Sequence, residues 1–299
     1  MMFTDNYSGS NIAKDPAVIR FHDEYLMYYS VSPHTEHPEN GWGIRIAKSS
    51  DLTNWEITGR IEPEGDLEAT GICAPGAIVY DGKVHLFYQT YGRFEKDAIC
   101  HAYSEDGLHF TRNETNPVVM AHGNWNNGRA IDADVVILND MLYLYFATRD
   151  PEGEIQMLGV SRCPLDCDFT SENWQQCKDG AVLKPELPWE QECIEAPAVL
   201  VHNDLVYLFY AGAYNNCPQQ IGVAVSENGI DFKRLSDKPF LPAGAAGSWN
   251  SSESGHPYVF EDDDKRIYLF YQGNQDQGRS WYLSKVQVEV DGAGLHIVM

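Results

Sequence analysis

Asp15-Pro16-Ala17-Val18-Ile19-Arg20-Phe21-His22-Asp23-Glu24-Tyr25-Leu26-Met27-Tyr28-Tyr29 reads as an apolar strand, a short polar turn and an aromatic strand. The chain writes this hairpin five times. The further copies run Ala74–Tyr88, Asp132–Phe146, Glu195–Tyr210 and His256–Tyr271, at intervals of about 60 residues. Aligned on their strands, Asp15, Ala74, Asp132, Ala196 and His256 share one column. Glu195 stands one place before its column, and the fifth copy has a longer turn. A hairpin repeated at such a period predicts a radial array with one sheet per repeat, because each unit needs its neighbours to cover its faces. The predicted fold is all-β: a five-bladed β-propeller with about four antiparallel strands per blade and the site at the mouth of the axial channel.

A second signature follows three of the hairpins: Ala47-Lys48-Ser49-Ser50-Asp51, Ala102-Tyr103-Ser104-Glu105-Asp106 and Ala224-Val225-Ser226-Glu227-Asn228. Each is a strand running into a Ser-x-Asp/Asn turn that closes on its own backbone. The versions in the third and fifth repeats are eroded. Blades are expected near 12–60, 70–120, 128–185, 190–240 and 250–299, in one domain spanning 1–299. How the ring closes is not written in the repeat; residues 1–10 are the candidate for a strand added to the last blade.

Lys and Arg number 21 against 44 Asp and Glu, a net charge of −23. That balance argues against nucleic acid or an anionic membrane as partner. No apolar run approaches the roughly 18 residues of a membrane span. Seven cysteines in so long a chain predict free thiols, since neither a CxxC pair nor a histidine partner completes a zinc pattern. The N-terminal residues lack a signal-peptide pattern, so cytoplasmic residence is expected.

In a closed ring, equivalent positions face one axis. Asp15, Asp132, His256 and the neighbouring Glu195 therefore converge, and carboxyls so placed push one another's pKa values apart. Glycoside hydrolysis requires that condition: one carboxylic acid and one carboxylate at a single bond. Asp134, two residues beyond Asp132, competes with it for this place. For the sugar itself, Trp42, Tyr91, Trp125 and Trp281 are candidates to stack on a ring. Arg129, Arg149 and Arg279 are candidates to grip hydroxyls.

The chain resembles the five-bladed β-propeller glycoside hydrolases, closest to family 43, with families 32, 62, 68 and 117 related. The resemblance spans nearly the whole chain. It rests on Asp-Pro-x-Val at Asp15, Cys-Ala-Pro at Cys73 where Trp-Ala-Pro is frequent, Ile-Asp at Asp132, and Glu-Ala-Pro at Glu195 where Glu-Gly-Pro is usual. It implies an inverting glycosidase with Asp15 as general base, Glu195 as general acid and Asp132 as the group that tunes and orients the acid. It implies that His256 helps bind substrate and holds a central metal ion, often calcium, through water; no other cofactor is implied. The expected partner is a plant or algal oligosaccharide cut from its end, with α-L-arabinofuranosidase or β-xylosidase as first expectation. Alternatives are an anhydro-galactosidase like family 117, a β-fructosidase like family 32, a phosphorolytic propeller with basic groups beside the axis, and a catalytically silent carbohydrate-binding propeller.

Overall fold

The computed structural model describes residues 2–292 and 294–298. They form five four-stranded antiparallel sheets, each built from a continuous stretch of chain. Blade 1 contains β1 (Lys14–Phe21), β2 (Glu24–Val31), β3 (Gly43–Ser49) and β4 (Glu56–Ile61), and blade 2 contains β5 (Ile72–Tyr80), β6 (Lys83–Thr90), β7 (Ile99–Ser104) and β8 (Thr111–Arg112). Blade 3 contains β9 (Ile131–Leu138), β10 (Met141–Arg149), β11 (Gln156–Pro164) and β12 (Gln175–Gln176). Blade 4 contains β13 (Ile194–His202), β14 (Leu205–Gly212), β15 (Gln220–Ser226) and β16 (Lys233–Arg234). Blade 5 contains β17 (Glu253–Glu261), β18 (Ile267–Asn274), β19 (Tyr282–Asp291) and β20 (Gly294–Ile297). Each innermost strand packs on the next, and β17 packs on β1, closing the ring of a five-bladed β-propeller. Among the described residues, those near the N-terminus add no strand to the last sheet. They seal the joint instead, through backbone bridges from Phe3 to Leu283 and from Ile12 to Trp281.

The first two strands of blades 1 to 4 are joined by two residues, and Asn139-Asp140 and Asn203-Asp204 both take positive φ. Such turns match the twist of the strands they connect. Ser49–Asp51, Ser104–Asp106 and Ser226–Asn228 close as the sequence predicts, with the Asp or Asn oxygen accepting the backbone N–H groups two and three residues on. Gly107 follows the second of these turns at φ 74°, and a Cβ there would lie 2.4 Å from Leu26 of blade 1.

The cores between blades are built from the repeated aromatic strands, with Tyr28, Tyr29, Phe87, Tyr88, Tyr145, Phe146, Phe209, Tyr210 and Phe270 fully buried. Three of these tyrosines anchor a buried acid–Tyr–Arg group. Tyr29 with Arg45 meets Asp5, Tyr88 with Arg112 meets Glu68, and Tyr210 with Arg234 meets Glu190. They occur in blades 1, 2 and 4, the same blades that carry the strong second signature. In each case the acid stands in the segment ahead of the blade and ties that segment to the second strand and to the third, through Arg45, or the fourth, through Arg112 and Arg234.

Arg234 donates to both oxygens of Glu190, at 2.7 and 2.8 Å. Burial would raise the Glu190 pKa, but Arg234 and Tyr210 hold it below the usual range. Arg234→Met leaves that carboxylate buried without its cation. The variant should lose about 3 kcal/mol of stability, read as a lower urea midpoint at unchanged slope. Because the folded pKa is depressed, this contribution is present above the unfolded pKa and fades as pH falls through the folded one. The gap between wild type and variant should therefore close on acidification.

Candidate active site

The innermost strands share a feature the alignment did not reveal. Asp15, Ala74, Asp132, Ala196 and His256 all adopt left-handed backbone, with φ of 52°, 47°, 52°, 49° and 41°. In each blade the pairing with the second strand slips at this point, a bulge that re-aims the side chain. The bulge turns two consecutive residues toward the axial mouth. Glu195 and Asp15 therefore face one pocket although they stand one column apart, and Lys14, Cys73 and Ile131 line it from the same row as Glu195. The strained backbone is held from the preceding blade. Gln272 accepts the N–H of Asp15, Ser30 that of Ala74 and Gln89 that of Asp132.

The pocket holds about 360 Å³. Asp15, Asp132, Glu195 and His256 meet in it, with Trp42 and Tyr91 on one wall and Arg129, Arg149 and Tyr214 on another. Trp42 and Tyr91 pack ring to ring at 5.3 Å. Three candidates lie elsewhere. Trp125 covers Gly159 and Gly123 in blade 3, where its ring fills the space that small residues leave. Arg279 is exposed in a turn organised by Asp276. Trp281 is buried as the seat of the N-terminal segment. All three belong to loops or edges, where strand period says nothing about direction. Asp134 also stays outside the pocket: its carboxylate accepts the backbone N–H of Val199 at 2.7 Å and ties β9 to β13.

His256 lies between two of the carboxylates, with Nδ1 2.8 Å from Asp15 Oδ1 and Nε2 3.3 Å from Glu195 Oε1. Glu195 also accepts from Gln219 at 2.7 Å and from Gln156. Lys14 donates to Asn215 at 2.9 Å and stands over the Trp281 ring at 4.4 Å. The glutamines escaped the sequence reading, yet Gln89 and Gln272 each follow an aromatic pair where other copies have Ser or Ala.

Burial would raise every carboxyl here, and the neighbours sort them. Against burial, His256 and then Lys14 hold Asp15 well below the carboxylate range. Burial pushes Asp132 up to about 7, with His256 opposing and Glu195 and Asp15 reinforcing. Burial is outweighed at Glu195 by His256, Gln219 and Lys14, so that group is lowered. Burial is outweighed at His256 as well, by Asp15, Glu195 and Asp132, and its pKa rises. The two neighbouring carboxyls are thus driven apart, Asp132 upward and Glu195 downward.

A cavity of about 20 Å³ sits on the axis, lined by Asp15, Asp132, Asp134 and His256. Oδ2 of Asp132 is buried with no hydrogen-bond partner. The space and the free acceptor fit one water or one small cation. Carboxylate oxygens suit calcium, whereas an imidazole nitrogen would join such an ion through water.

The His256 imidazole should stay protonated above pH 7 in 15N-correlated NMR, and Asp15→Asn should lower its titration midpoint. A midpoint near the ordinary 6.5, unmoved by the substitution, would contradict the bridge.

Comparison with known proteins agrees with this geometry. The sequence profile of Glycosyl hydrolases family 43 matches residues 7–293. A 1,2-beta-oligomannan phosphorylase from Thermoanaerobacter sp. (strain X514) is 25% identical over 221 residues, 72% of this chain and 68% of that protein. The crystal structure of a thermostable family-43 glycoside hydrolase superposes with a TM-score of 0.78 at 20% identity, covering 99% of this chain and 96% of the other. The crystal structure of an endo-1,4-beta-xylanase from Bacteroides thetaiotaomicron VPI-5482 gives 0.75 at 23% identity, covering 96% and 94%. Five blades closed on an axial acidic pocket, and a profile that spans nearly the whole sequence, make this chain a member of glycosyl hydrolases family 43.

Proposed function

We propose that the chain is an inverting, exo-acting glycosidase on plant or algal oligosaccharides. An α-L-arabinofuranosidase or β-xylosidase activity is the first expectation. The observation that carries this reading is the meeting of Asp15, Asp132 and Glu195 in one pocket with His256 between the first and the last. Asp15, held ionised, is the general base that takes a proton from water as it attacks the anomeric carbon. Glu195 is the acid that protonates the leaving oxygen, and Asp132 is the neighbouring carboxyl that tunes and orients it. One oxygen or nitrogen from each of Asp132, Glu195 and His256 lies within 4.8 Å of the others, close enough for the charge on one to shift the pKa of the next. Asp15 and Glu195 each meet a different nitrogen of His256, an arrangement that supports a base and an acid acting separately, as inversion requires.

Trp42 and Tyr91, paired at the mouth of the axial pocket, supply a surface on which a terminal sugar ring would stack, which supports attack at a chain end. Calcium is the proposed occupant of the axial cavity, held by Asp132 with His256 joined through water. Bound there, it supplies positive charge that steadies the carboxylates. Family 117-like and family 32-like sugars remain alternatives within the same chemistry. The similarity to an oligomannan phosphorylase, with Lys14, Arg129 and Arg149 in the pocket, supports phosphorolysis as a second reading.

Asp15→Asn and Glu195→Gln should each cost at least ~10²-fold in rate on the best substrate from a panel of chromogenic pentosides, galactosides and fructosides, with sugar affinity retained. NMR of the first-formed sugar should show the inverted anomer. A silent sugar-binding propeller has no hydrolysis to lose, and a retained anomer would overturn the assigned roles. Asp132→Asn removes a neighbouring charge from Glu195, so the alkaline limb of kcat/KM should move to lower pH. Disappearance of that limb together with activity would instead make Asp132 the acid.

A further inference from the structure

Arg129, ahead of β9, and Arg149, at the end of β10, form one wall of the pocket. Both reach the same acceptor: Arg149 Nε donates to Gln156 Oε1 at 3.1 Å and Arg129 Nη1 to that oxygen at 3.4 Å. Gln156 donates in turn to Glu195, so the pair stands directly behind the group assigned as acid. That oxygen and the Gly153 carbonyl, 3.4 Å from Arg149 Nη1, are neutral and poor compensation for two guanidinium groups. Arg20, Arg45, Arg60, Arg112 and Arg234 each have a carboxylate oxygen within 3.3 Å. For Arg129 the carboxylate contact is Asp97 at 3.7 Å, and its buried Nε has no hydrogen-bond partner. Among the described residues Arg149 has no carboxylate within ion-pair distance; the Tyr214 ring lies 5.8 Å from its guanidinium carbon. In a chain of net charge −23, cations left this way against an open pocket await an anion. Neutral sugar hydroxyls do not call for them, whereas planar guanidinium forks match carboxylate and phosphate oxygens.

We propose that Arg129 and Arg149 form an oxyanion-binding subsite of the pocket, taking a carboxylate or phosphate group. The proposal rests on reading the pocket as the sugar-cleaving site, and it narrows the substrate class. One source of the anion is an acidic sugar unit of the oligosaccharide. The other is inorganic phosphate. In that case a phosphate oxygen forms the bond to the anomeric carbon as the glycosidic C–O bond breaks. The leaving oxygen takes the proton of Glu195, the proton that phosphate gives up restores Glu195, and the products are a sugar 1-phosphate and a chain one unit shorter.

Calorimetric titration of the wild-type protein with inorganic phosphate, with galacturonate and glucuronate, and with neutral galactose and glucose separates the sources. Phosphate, or a uronate over its neutral counterpart, should bind at least about tenfold tighter than neutral sugar, and Arg149→Gln should erase that advantage. Arg129→Met should do the same, with circular dichroism confirming that both variants are folded. Uronate preference assigns an acidic sugar, and phosphate binding assigns a co-substrate. Equal affinity for acidic and neutral sugars without phosphate binding overturns the subsite, as does an anion bound equally by wild type and Arg149→Gln. The assay reads binding alone, so failure of the hydrolytic reading would show in the glycoside panel and not here.

Discussion

Five left-handed residues at the heads of the innermost strands are the constraint on which the pocket depends. Each costs about 1–2 kcal/mol in a residue with a side chain, and the cost recurs in every blade, including at Ala74 and Ala196, which put no reactive group on the axis. The bulge is therefore a property of the ring rather than of the catalytic residues. It survives because the preceding blade grips it, through Gln272 at Asp15, Ser30 at Ala74 and Gln89 at Asp132. Local strain is tolerated where the surroundings over-determine it. Here the surroundings are the neighbouring blades, so ring closure and pocket geometry form one problem.

The same enforced convergence sets the electrostatics. Three carboxyls held near one another in a buried place cannot all ionise freely. His256 relieves the crowding by giving one nitrogen to Asp15 and facing Glu195 with the other, and its own pKa rises in return. Asp132, which the imidazole does not bridge, is pushed up to about 7 by burial, with His256 opposing. Three identical positions could not produce such an ordering. It arises because the blades present different groups on equivalent vectors.

Much of this was legible in the sequence. Five hairpins, the two-residue turns and the Ser-x-Asp/Asn closures are short-range patterns, and they appear where the period puts them. The one-place offset of Glu195 was visible but unexplained, because Asp, Ala, Asp, Ala and His carry no common signal for positive φ. The glutamine caps were visible only as a residue following an aromatic pair. The acid–Tyr–Arg groups were hidden because Asp5, Glu68 and Glu190 lie 20 or more residues from the tyrosines they meet. Trp125, Arg279 and Trp281 were assigned by residue type from loops and edges, and a loop side chain has no periodicity from which to read its direction. Trp42 and Tyr91 were chosen on the same grounds and do line the pocket. Residue type thus names a sugar-binding candidate, and only the loop path decides whether it arrives.

Blade 2 supplies the last step. It offers Ala74 and Cys73 where its neighbours offer Asp15 with Lys14 and Asp132 with Ile131. A fifth reactive side chain there would fill the centre and add charge to a cluster whose buried carboxyls already shift one another. The small Ala74 instead leaves open volume beside Asp15 and Asp132, on the flank closed by Trp42 and Tyr91. Arg129, Arg149 and Tyr214 line the pocket from blades 3 and 4, so it has an aromatic part and a cationic part around the carboxyls. Symmetry of the backbone supplies convergence, and the departure of one blade from that chemistry supplies the room in which a sugar ring can meet it.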